Sequence, residues 1–293
     1  MGDGWRYWRN LLLFGLCTLT MGLAVGIGRL VHQRAMSYVH PPRWVRPAEE
    51  TPTYLGVPYQ DVTLLTADGL KLAAWYTPPE NKVVILVAHG HSGGRSAEMH
   101  AFFARHGYGV LSWDFRAHGK SEGELCTLGY HEALDVEAAL DFALTQAEVA
   151  HVGAWGASMG AAATLRAAAR RPEIKAVVAD SAFPTLEGEL DIMVRVAILR
   201  PLVRFFAERE AGLSMHQFRP VDEIERISPR PVFIIQGAAD STIPAGSAQQ
   251  LYDAAGEPRT LWVEPGAGHV GTRSLRPDEY EQRVIAFFDT ATP

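Results

Sequence analysis

Short runs of continuously apolar residues alternate with runs of helical periodicity over most of this 293-residue chain. The apolar runs have the length of strands, and the clearest of them reads KVVILVA at 82–88. A strand that is apolar along its whole length has both faces buried, which is typical of a parallel sheet covered by helices on each side. The pattern therefore predicts the α/β class with a mostly parallel central sheet.

The order of the predicted elements supports this class. Strands are predicted at 61–66, 70–77, 82–88, 109–113, 151–155, 176–179, 232–236 and 260–263. Helices are predicted at 97–106, 134–144, 161–170, 247–255 and 279–288. The first two strands flank Ala67-Asp68-Gly69, a turn sequence typical of a hairpin, so they should add to the sheet in antiparallel fashion.

The amino-acid composition and net charge exclude several classes of protein and partner. The chain is 47% hydrophobic, 10% aromatic and 20% charged, which is typical of a globular protein and unlike a disordered one. Its formal net charge of −6 argues against nucleic acid as a bulk electrostatic partner. The two cysteines, Cys17 and Cys126, provide neither a disulfide framework nor a metal-ligand spacing.

The N-terminal segment is set apart by an uncharged stretch. No residue from 11 to 28 is charged, and a run of this length reaches the lower limit for a membrane-spanning helix. Arginines flank both ends, with Arg6 and Arg9 before the run and Arg29 and Arg34 after it. We therefore predict a single-pass membrane anchor at 1–34, a stiff Pro-rich linker at 35–54 and a folded domain at 55–291.

Two other interpretations of the N-terminal run stay open. Gly22 and Ala24 offer the small residues of a cleavage site, so the run also fits a cleaved signal peptide. A helix buried in the folded domain would have a similar composition. The arginine counts on the two sides differ too little to assign the membrane face of the domain.

One long interval interrupts the alternation of strands and helices. About fifty residues separate the strands at 176–179 and 232–236, far more than an ordinary connection in this class. Because the middle of the interval, 190–206, is strongly apolar, we predict a helical lid insertion at 184–229 over the carboxyl edge of the sheet. A plain pair of packed surface helices is the alternative.

The motif Gly156-Ala157-Ser158-Met159-Gly160 carries the strongest chemical signal. On its own a Gly-x-Ser-x-Gly pattern is weak, but here it follows a predicted strand and opens a predicted helix. This is the strand–turn–helix elbow that holds a serine in a strained, exposed conformation, and the two glycines leave room for the sharp turn. Ser158 is therefore the candidate nucleophile.

A serine hydroxyl needs a base, and the base needs an orienting carboxylate. In this elbow topology the acid and then the histidine follow the serine along the chain. Asp240 and His269 each lie in a small-residue loop just after a predicted strand, so both side chains should meet Ser158 at one edge of the sheet. Asp180, which ends the strand after the elbow, is the rival acid.

Two backbone amides are candidates for an oxyanion hole. The Met159 N–H lies at the start of the helix after the elbow, where the helix dipole favours an anion. The second donor should come from the His89 loop (89–94, HGHSGG), where the His91 N–H is best placed. This loop has no third ligand at metal spacing and no dinucleotide or phosphate fingerprint, so no metal and no cofactor is expected.

At these residues the chain resembles the α/β-hydrolase superfamily, and in particular its bacterial serine aminopeptidase-like and carboxylesterase-like members. The resemblance covers 55–291 and rests on the segments ADGLKL at 67–72, AHGH at 88–91, DFRAHGKS at 114–121, GASMG at 156–160, QGAAD at 236–240 and GAGH at 266–269. It implies an α/β-hydrolase fold with the triad Ser158, Asp240 and His269 and with the His91 and Met159 amides as the oxyanion hole. Two positions depart from the usual pattern, with Gln236 in place of a frequent His and Ala117 in place of a frequent Gly.

These residues together predict a membrane-anchored serine hydrolase that acts on a small-molecule acyl substrate through an acyl-enzyme. An ester or thioester is the leading substrate class, because its leaving group departs more readily than an amine. Peptidase or amidase activity is the second interpretation, and a non-catalytic binding protein that keeps the fold is the third. The sequence leaves the acyl chain, the leaving group and the oligomeric state open.

Overall fold

The computed structural model describes residues 3–45, 47 and 50–292 of the chain. Its strands are β1 (Gln60–Leu65), β2 (Lys71–Thr77), β3 (Val83–Ala88), β4 (Gly109–Trp113), β5 (His151–Ala157), β6 (Ile174–Asp180), β7 (Val232–Gly237) and β8 (Arg259–Glu264). They form one eight-stranded sheet in the order β1-β2-β4-β3-β5-β6-β7-β8. Each predicted strand is present, with its ends shifted by at most two residues.

The sheet is parallel except at the edge that carries the hairpin. β1 pairs antiparallel with β2, β2 pairs antiparallel with β4, and the other pairings are parallel. In the predicted hairpin Leu65 faces Lys71, and Gly69 takes a φ of 89°, which favours glycine. The predicted mostly parallel sheet is therefore confirmed.

Ten helices lie along the described residues and enclose this sheet. They are α1 (Asp3–Val39), α2 (Ala97–Ala104), α3 (Glu132–Thr145), α4 (Met159–Arg170), α5 (Leu186–Met193), α6 (Arg200–Ala211), α7 (Pro220–Glu223), α8 (Ala245–Ala254), α9 (Thr272–Leu275) and α10 (Pro277–Ala291). Short 3-10 turns lie at Pro52–Leu55, Ala197–Leu199, Met215–Gln217 and Ile224–Ile227.

Burial on both faces explains why the central strands are apolar along their whole length. On β3, Val84 and Leu86 lie in one hydrophobic core, whereas Val83 and Ile85 lie in a second core on the opposite face. Apolar residues of α3, α4 and α8 complete the first core, and those of α2 and α10 complete the second. The carboxyl ends of the parallel strands are thereby held in fixed positions at one edge of the sheet.

α1 extends beyond the predicted anchor. It continues as one helix to Val39. Pro41 and Pro42 follow soon after, and proline does not continue a helix because it lacks the backbone N–H. Val31, Ala35, Tyr38 and Val39 are buried in the first core, and α1 packs against α6. The predicted boundary at 34 therefore differs from the structure, since 35–39 is a docked helix rather than linker. Residues 1, 2, 46, 48 and 49 of the predicted anchor and linker lie outside the described residues.

The first part of α1 is exposed. Residues 4–27 are exposed, and the segment Gly4–Val39 is long and apolar enough to cross a membrane, with a mean hydropathy of 2.1 in its most apolar window. The uncharged run at 11–28 rises about 27 Å in a helix, close to the roughly 30 Å of a hydrocarbon core. Its length and composition therefore fit an N-terminal anchor.

The lid insertion is helical and lies between β6 and β7. α5 begins after Thr185, whose hydroxyl accepts a hydrogen bond from the Gly188 N–H (3.1 Å). α6 ends at Ala211 and is capped by Gly212, which has a φ of 63°. Its apolar residues divide into two sets, with Leu190, Val194 and Val203 buried and Val196, Ile198, Leu202 and Phe205 exposed.

Candidate active site

Ser158 lies at the turn between β5 and α4. Its φ of 53° and ψ of −119° form a conformation that is rare for a residue with a side chain, and such strain clusters at functional sites. The turn is held by a hydrogen bond from the Ser158 N–H to the Asp180 carbonyl oxygen (2.8 Å). The strand–turn–helix context predicted for the serine motif is therefore present.

The two glycines of the motif permit a close approach of backbone segments. A Cβ on Gly156 would lie 2.5 Å from the Gly160 carbonyl oxygen and 2.7 Å from the Ala161 Cα. A Cβ on Gly160 would collide with the backbone carbonyls of Ala88 and His89 at the end of β3. Because any larger residue would push these segments apart, both glycines are required for the turn.

Asp240 and His269 form a hydrogen-bonded pair at the same edge of the sheet. Asp240 follows β7, His269 follows β8, and the His269 Nδ1 lies 2.7 Å from the Asp240 Oδ2. In a neutral imidazole that carries its proton on Nδ1, this nitrogen donates to the carboxylate and leaves Nε2 free of the proton. The Asp240 side chain is fully buried, whereas 28% of the His269 side chain is exposed. The His269 imidazole is thus accessible, whereas the Asp240 carboxylate is not.

The Asp240 carboxylate is held ionised by its donors. Burial alone would raise the pKa of Asp240, but hydrogen bonds from His269 and from the Ile243 and Thr242 amides (both 2.8 Å) outweigh it and lower this pKa below its usual value. A carboxylate in this state orients the imidazole and stabilises its protonated form.

Gln236 also belongs to the candidate site. The sequence identifies it only as a departure from the family pattern. Its Nε2 donates to the Asp240 Oδ2 and to the Ile243 carbonyl oxygen, both at 2.9 Å. The side chain therefore holds, from within β7, the same Asp240 oxygen that contacts His269. Its position at the end of a strand, four residues before the acid, was the available signal.

The His89 loop passes directly beside the predicted nucleophile. A Cβ on Gly90 would lie 3.4 Å from the Ser158 Cβ and 3.9 Å from its Oγ. Among the described residues, neither the His91 nor the Met159 N–H has a backbone or side-chain acceptor. The Met159 amide directly follows Ser158 in the chain, and the His91 amide follows Gly90 of the adjacent loop, so both remain candidates for the oxyanion hole.

The His91 side chain links this loop to α1. Burial and the neighbouring His118 lower the pKa of His91 to about 4, so its ring is neutral near pH 7. Its Nε2 lies 3.0 Å from the Tyr38 carbonyl oxygen, and its Nδ1 lies 3.1 Å from the Ser92 Oγ. The end of the N-terminal helix thus contacts the loop that carries a predicted oxyanion donor.

Asp180, the rival acid, is committed to other partners. Its carboxylate accepts hydrogen bonds from the Ser181 Oγ and the Tyr280 hydroxyl, both at 3.0 Å, and burial raises its pKa to about 6. The Ser181 Oγ in turn accepts from the Val270 N–H (3.1 Å), next to His269 in the chain. The geometry therefore favours Asp240 as the partner of His269 and gives Asp180 a supporting position behind the loop.

The remaining histidines near the site are engaged in holding loops. His89 accepts a hydrogen bond from the Phe115 N–H (3.0 Å), and His118 accepts one from the Ser92 N–H (3.2 Å). No group of three or more His, Cys, Asp and Glu side chains in the described part of the chain is arranged to hold a metal ion.

The segment 114–121, which follows β4, holds neighbouring segments in place at the carboxyl edge of the sheet. The Asp114 carboxylate accepts from the Arg95 and Lys120 amides, both at 3.0 Å. Arg116 pairs with Asp68 of the hairpin and with the buried Asp135 of α3. These ion pairs tie the β1–β2 hairpin and α3 to the loop after β4.

One acidic residue of the lid insertion lies close to the pair and was not predicted. Glu189 of α5 is 5% exposed, its Oε2 has no hydrogen-bond partner, and its carboxyl interacts electrostatically with His269 and Asp240. Burial is the main cause that raises the pKa of Glu189 to about 7. Glu189 is therefore a buried acidic group of the insertion whose charge is coupled to that of the Asp240–His269 pair.

Known proteins resemble this chain in sequence. Residues 77–213 match the family described as "Serine aminopeptidase, S33". An uncharacterized protein of Mycobacterium tuberculosis is 31% identical over 217 residues, which cover 72% of this chain and 72% of that protein. An uncharacterized membrane protein of Saccharomyces cerevisiae is 26% identical over 257 residues, which cover 83% of this chain and 84% of that protein.

The fold is shared with a solved esterase. The esterase Pf2001 of Pyrococcus furiosus superimposes with a TM-score of 0.75 at 30% identity, over 87% of this chain and 99% of that chain. Together with the family match, this similarity confirms the resemblance predicted from the motifs. By sequence and by fold, the chain belongs to the α/β-hydrolase superfamily.

Proposed function

We propose that this hydrolase of the α/β type is a serine hydrolase that cleaves a carboxylic ester or thioester through an acyl-enzyme on Ser158. The observation that carries the proposal is the convergence of a serine in a strained elbow (φ 53°) with a 2.7 Å Asp240–His269 pair at one edge of the sheet. The esterase activity named for the Pyrococcus furiosus relative supports the ester class.

The acylation step follows from the roles of these groups. The Ser158 Oγ attacks the carbonyl carbon of the substrate while the His269 Nε2 takes the hydroxyl proton. The negative charge that develops on the carbonyl oxygen is stabilised by the His91 and Met159 amides. As the tetrahedral intermediate collapses, the carbon–oxygen or carbon–sulfur bond breaks, and the leaving group departs with the proton from His269.

Deacylation repeats the same chemistry with water. His269 takes a proton from a water molecule, which attacks the acyl carbon, and the same two amides stabilise the second oxyanion. The bond to the Ser158 Oγ then breaks, and His269 returns the proton to the serine. The products are a carboxylic acid and an alcohol or thiol, and no cofactor takes part.

Peptidase activity is the second candidate, and Glu189 is the observation that bears on it. An aminopeptidase needs a carboxylate for the charged terminus of its substrate, and Glu189 is a buried carboxyl close to His269. Its pKa of about 7, however, leaves it only partly ionised at neutral pH, which weakens it as a partner for an ammonium group. We therefore keep the ester as the leading substrate class.

The nucleophile is tested by covalent labelling. We expect a fluorophosphonate probe to label the wild-type chain and to leave the Ser158→Ala chain unlabelled, because only an activated serine hydroxyl displaces the fluoride. Intact mass should show one adduct, mapped to the peptide that contains Ser158. A folded wild-type protein without label would instead favour the non-catalytic binding protein.

We further propose that α1 anchors the protein in a membrane as a single pass. The support is its exposed apolar surface and the length of the uncharged run, about 27 Å as a helix. The full-length protein should stay in the membrane fraction after a carbonate wash. An intact mass that shows processing near Ala24 would replace the anchor with a cleaved signal peptide.

The lid insertion predicts a preference in acyl chain length. Because its middle is strongly apolar, esters of medium-chain acids should have a higher kcat/KM than acetate esters, with each buried methylene contributing about 0.8 kcal/mol at most. Steady-state kinetics over a series of p-nitrophenyl esters would measure this profile. A flat or falling profile would favour the interpretation of 190–206 as plain surface helices.

A further inference from the structure

An apolar groove of about 380 Å³ is lined by residues of α1 and of the lid insertion. On one wall, α1 contributes Ile27, Leu30 and Val31. The opposite wall consists of residues of the lid insertion, among them Val196 and Leu199. An apolar cleft of this size between two helical elements is the kind of site that takes a hydrocarbon group.

The groove begins where the uncharged run of α1 ends. Ile27 belongs to the last turn of that run, and Arg34 of the groove wall lies less than two turns beyond Gly28. If α1 crosses a membrane, this end of the groove lies at the boundary between hydrocarbon and headgroups. A lipid chain could therefore pass from the bilayer into the groove without crossing water.

The other end of this region approaches the candidate active site. Tyr38 lies one turn beyond Arg34 on α1, and its carbonyl oxygen contacts the His91 Nε2 at 3.0 Å. Its hydroxyl donates to the carbonyl oxygen of Met193, a residue of the groove wall, at 3.3 Å. Ten residues of helix separate Gly28 from Tyr38, so the His89 loop lies only about 15 Å along α1 from the end of the run.

Charge and exposure on the groove rim suit a lipid surface. Arg34 and Arg195 both line the groove and are both exposed, so two positive charges lie on its rim, where they favour anionic headgroups. The Arg34 guanidinium also lies over the Tyr38 ring, 4.8 Å from its centroid. Val196, also in the wall, is 55% exposed, and Leu202 and Phe205 lie on one exposed face of α6. Exposed apolar residues beside exposed cations are typical of a surface that rests on a membrane.

We propose that this groove holds the acyl chain of a lipid ester taken from the membrane that contains α1, with its ester carbonyl presented to Ser158. The inference rests on the proposed serine hydrolase and on the proposed anchor. It makes α1 a wall of the substrate site and names the substrate class as long-chain esters of anionic membrane lipids.

The test compares a groove variant with a matched surface variant in the full-length protein. Leu199→Trp fills the groove, whereas Leu144→Trp makes the same change at an exposed leucine of α3. Both proteins are reconstituted in vesicles of phosphatidylcholine and phosphatidylglycerol and assayed with acetyl and dodecanoyl p-nitrophenyl esters. We expect Leu199→Trp to lower kcat/KM for the dodecanoyl ester roughly tenfold or more, because several methylene groups lose their contacts, and to leave the acetyl ester within about twofold. Leu144→Trp should change neither.

A second measurement does not depend on turnover. In the Ser158→Ala chain, a phosphatidylglycerol with a photoreactive group near the end of its acyl chain should cross-link to peptides that contain 27–34 or 193–203, and Leu199→Trp should suppress this product. If Leu199→Trp lowered kcat/KM equally for the acetyl and dodecanoyl esters, or if the cross-links lay elsewhere, the groove would not be the acyl-chain site. Labelling of Ser158 in the same protein would still support the serine hydrolase. Absence of labelling and of all ester turnover would instead refute the proposed hydrolase itself.

Discussion

Ser158→Ala is expected to remove acyl-enzyme formation completely, and His269→Ala to reduce kcat almost as far, because without the base the serine hydroxyl keeps its proton. The losses of activity in the two variants should not be additive. Because Ser158 and His269 act as one unit, the double variant Ser158→Ala/His269→Ala should be hardly less active than either single variant. Steady-state kinetics on a p-nitrophenyl ester, with fluorophosphonate labelling as a second readout, would measure these losses.

The assignment of the acid has a matched control within the chain. Asp240→Asn should lower kcat on the order of 10⁴-fold, by analogy with other triads, because the amide no longer orients and stabilises the imidazolium. Asp180→Asn removes an equally buried carboxylate of β6 that hydrogen-bonds Ser181 and Tyr280 instead, so its effect on kcat should be far smaller. A folded Asp180→Asn protein without turnover, beside a nearly normal Asp240→Asn protein, would show that the acid comes from β6.

The fold and the geometry of the candidate site could be predicted in large part because their signals are local in the sequence. A continuous apolar run such as β3 is required wherever a strand has both faces buried. The first glycine of the elbow, Gly156, is required by contacts with Gly160 and Ala161, within five residues of it. The order serine, acid, histidine then places Asp240 and His269 after neighbouring parallel strands, β7 and β8. These constraints act on residue types at fixed spacings, so a single sequence contains them.

The supporting contacts could not be predicted because they join residues far apart in the chain. Tyr280 donates to Asp180 across 100 residues, and His91 contacts Tyr38 across 53. Nothing in the spacing of either pair indicates its partner. The buried Glu189 is similar, since an acidic residue in the first turn of a helix is ordinarily a surface residue.

The N-terminal helix continues past the predicted boundary at 34, and the sequence does not indicate this for a related reason. The flanking arginines up to Arg34 and the prolines after residue 40 predict an anchor at 1–34 and a linker at 35–54. The structure continues α1 to Val39, and its last turns carry Ala35 and Tyr38 into the core of the domain. Apolar residues near the end of a membrane-spanning run cannot be assigned to lipid or to protein by composition alone.

Removal of the docked end of α1 is therefore expected to destabilise the domain strongly. A chain that begins at residue 51 lacks Val31, Ala35, Tyr38 and Val39, which are at most 4% exposed, and the 2.7 Å hydrogen bond from the Cys126 N–H to the Val39 carbonyl oxygen. Burial of the three larger side chains contributes on the order of 5 kcal/mol, comparable with the whole stability of many domains. Thermal unfolding should show a markedly lower Tm for 51–293, with aggregation.

The control for this truncation is a chain that begins at residue 29, which lacks the uncharged run but keeps the docked turns of α1. We expect 29–293 to be soluble without detergent, to unfold at the temperature of the detergent-solubilised full-length protein and to react with fluorophosphonate. The 51–293 chain should also react more slowly when folded, because the His91 side chain loses its contact with the Tyr38 carbonyl oxygen and the His89 loop beside Ser158 becomes less restrained. Equal Tm values and equal labelling rates for the two truncated chains would mean that α1 docks without contributing to stability and that 35–54 behaves as a linker after all.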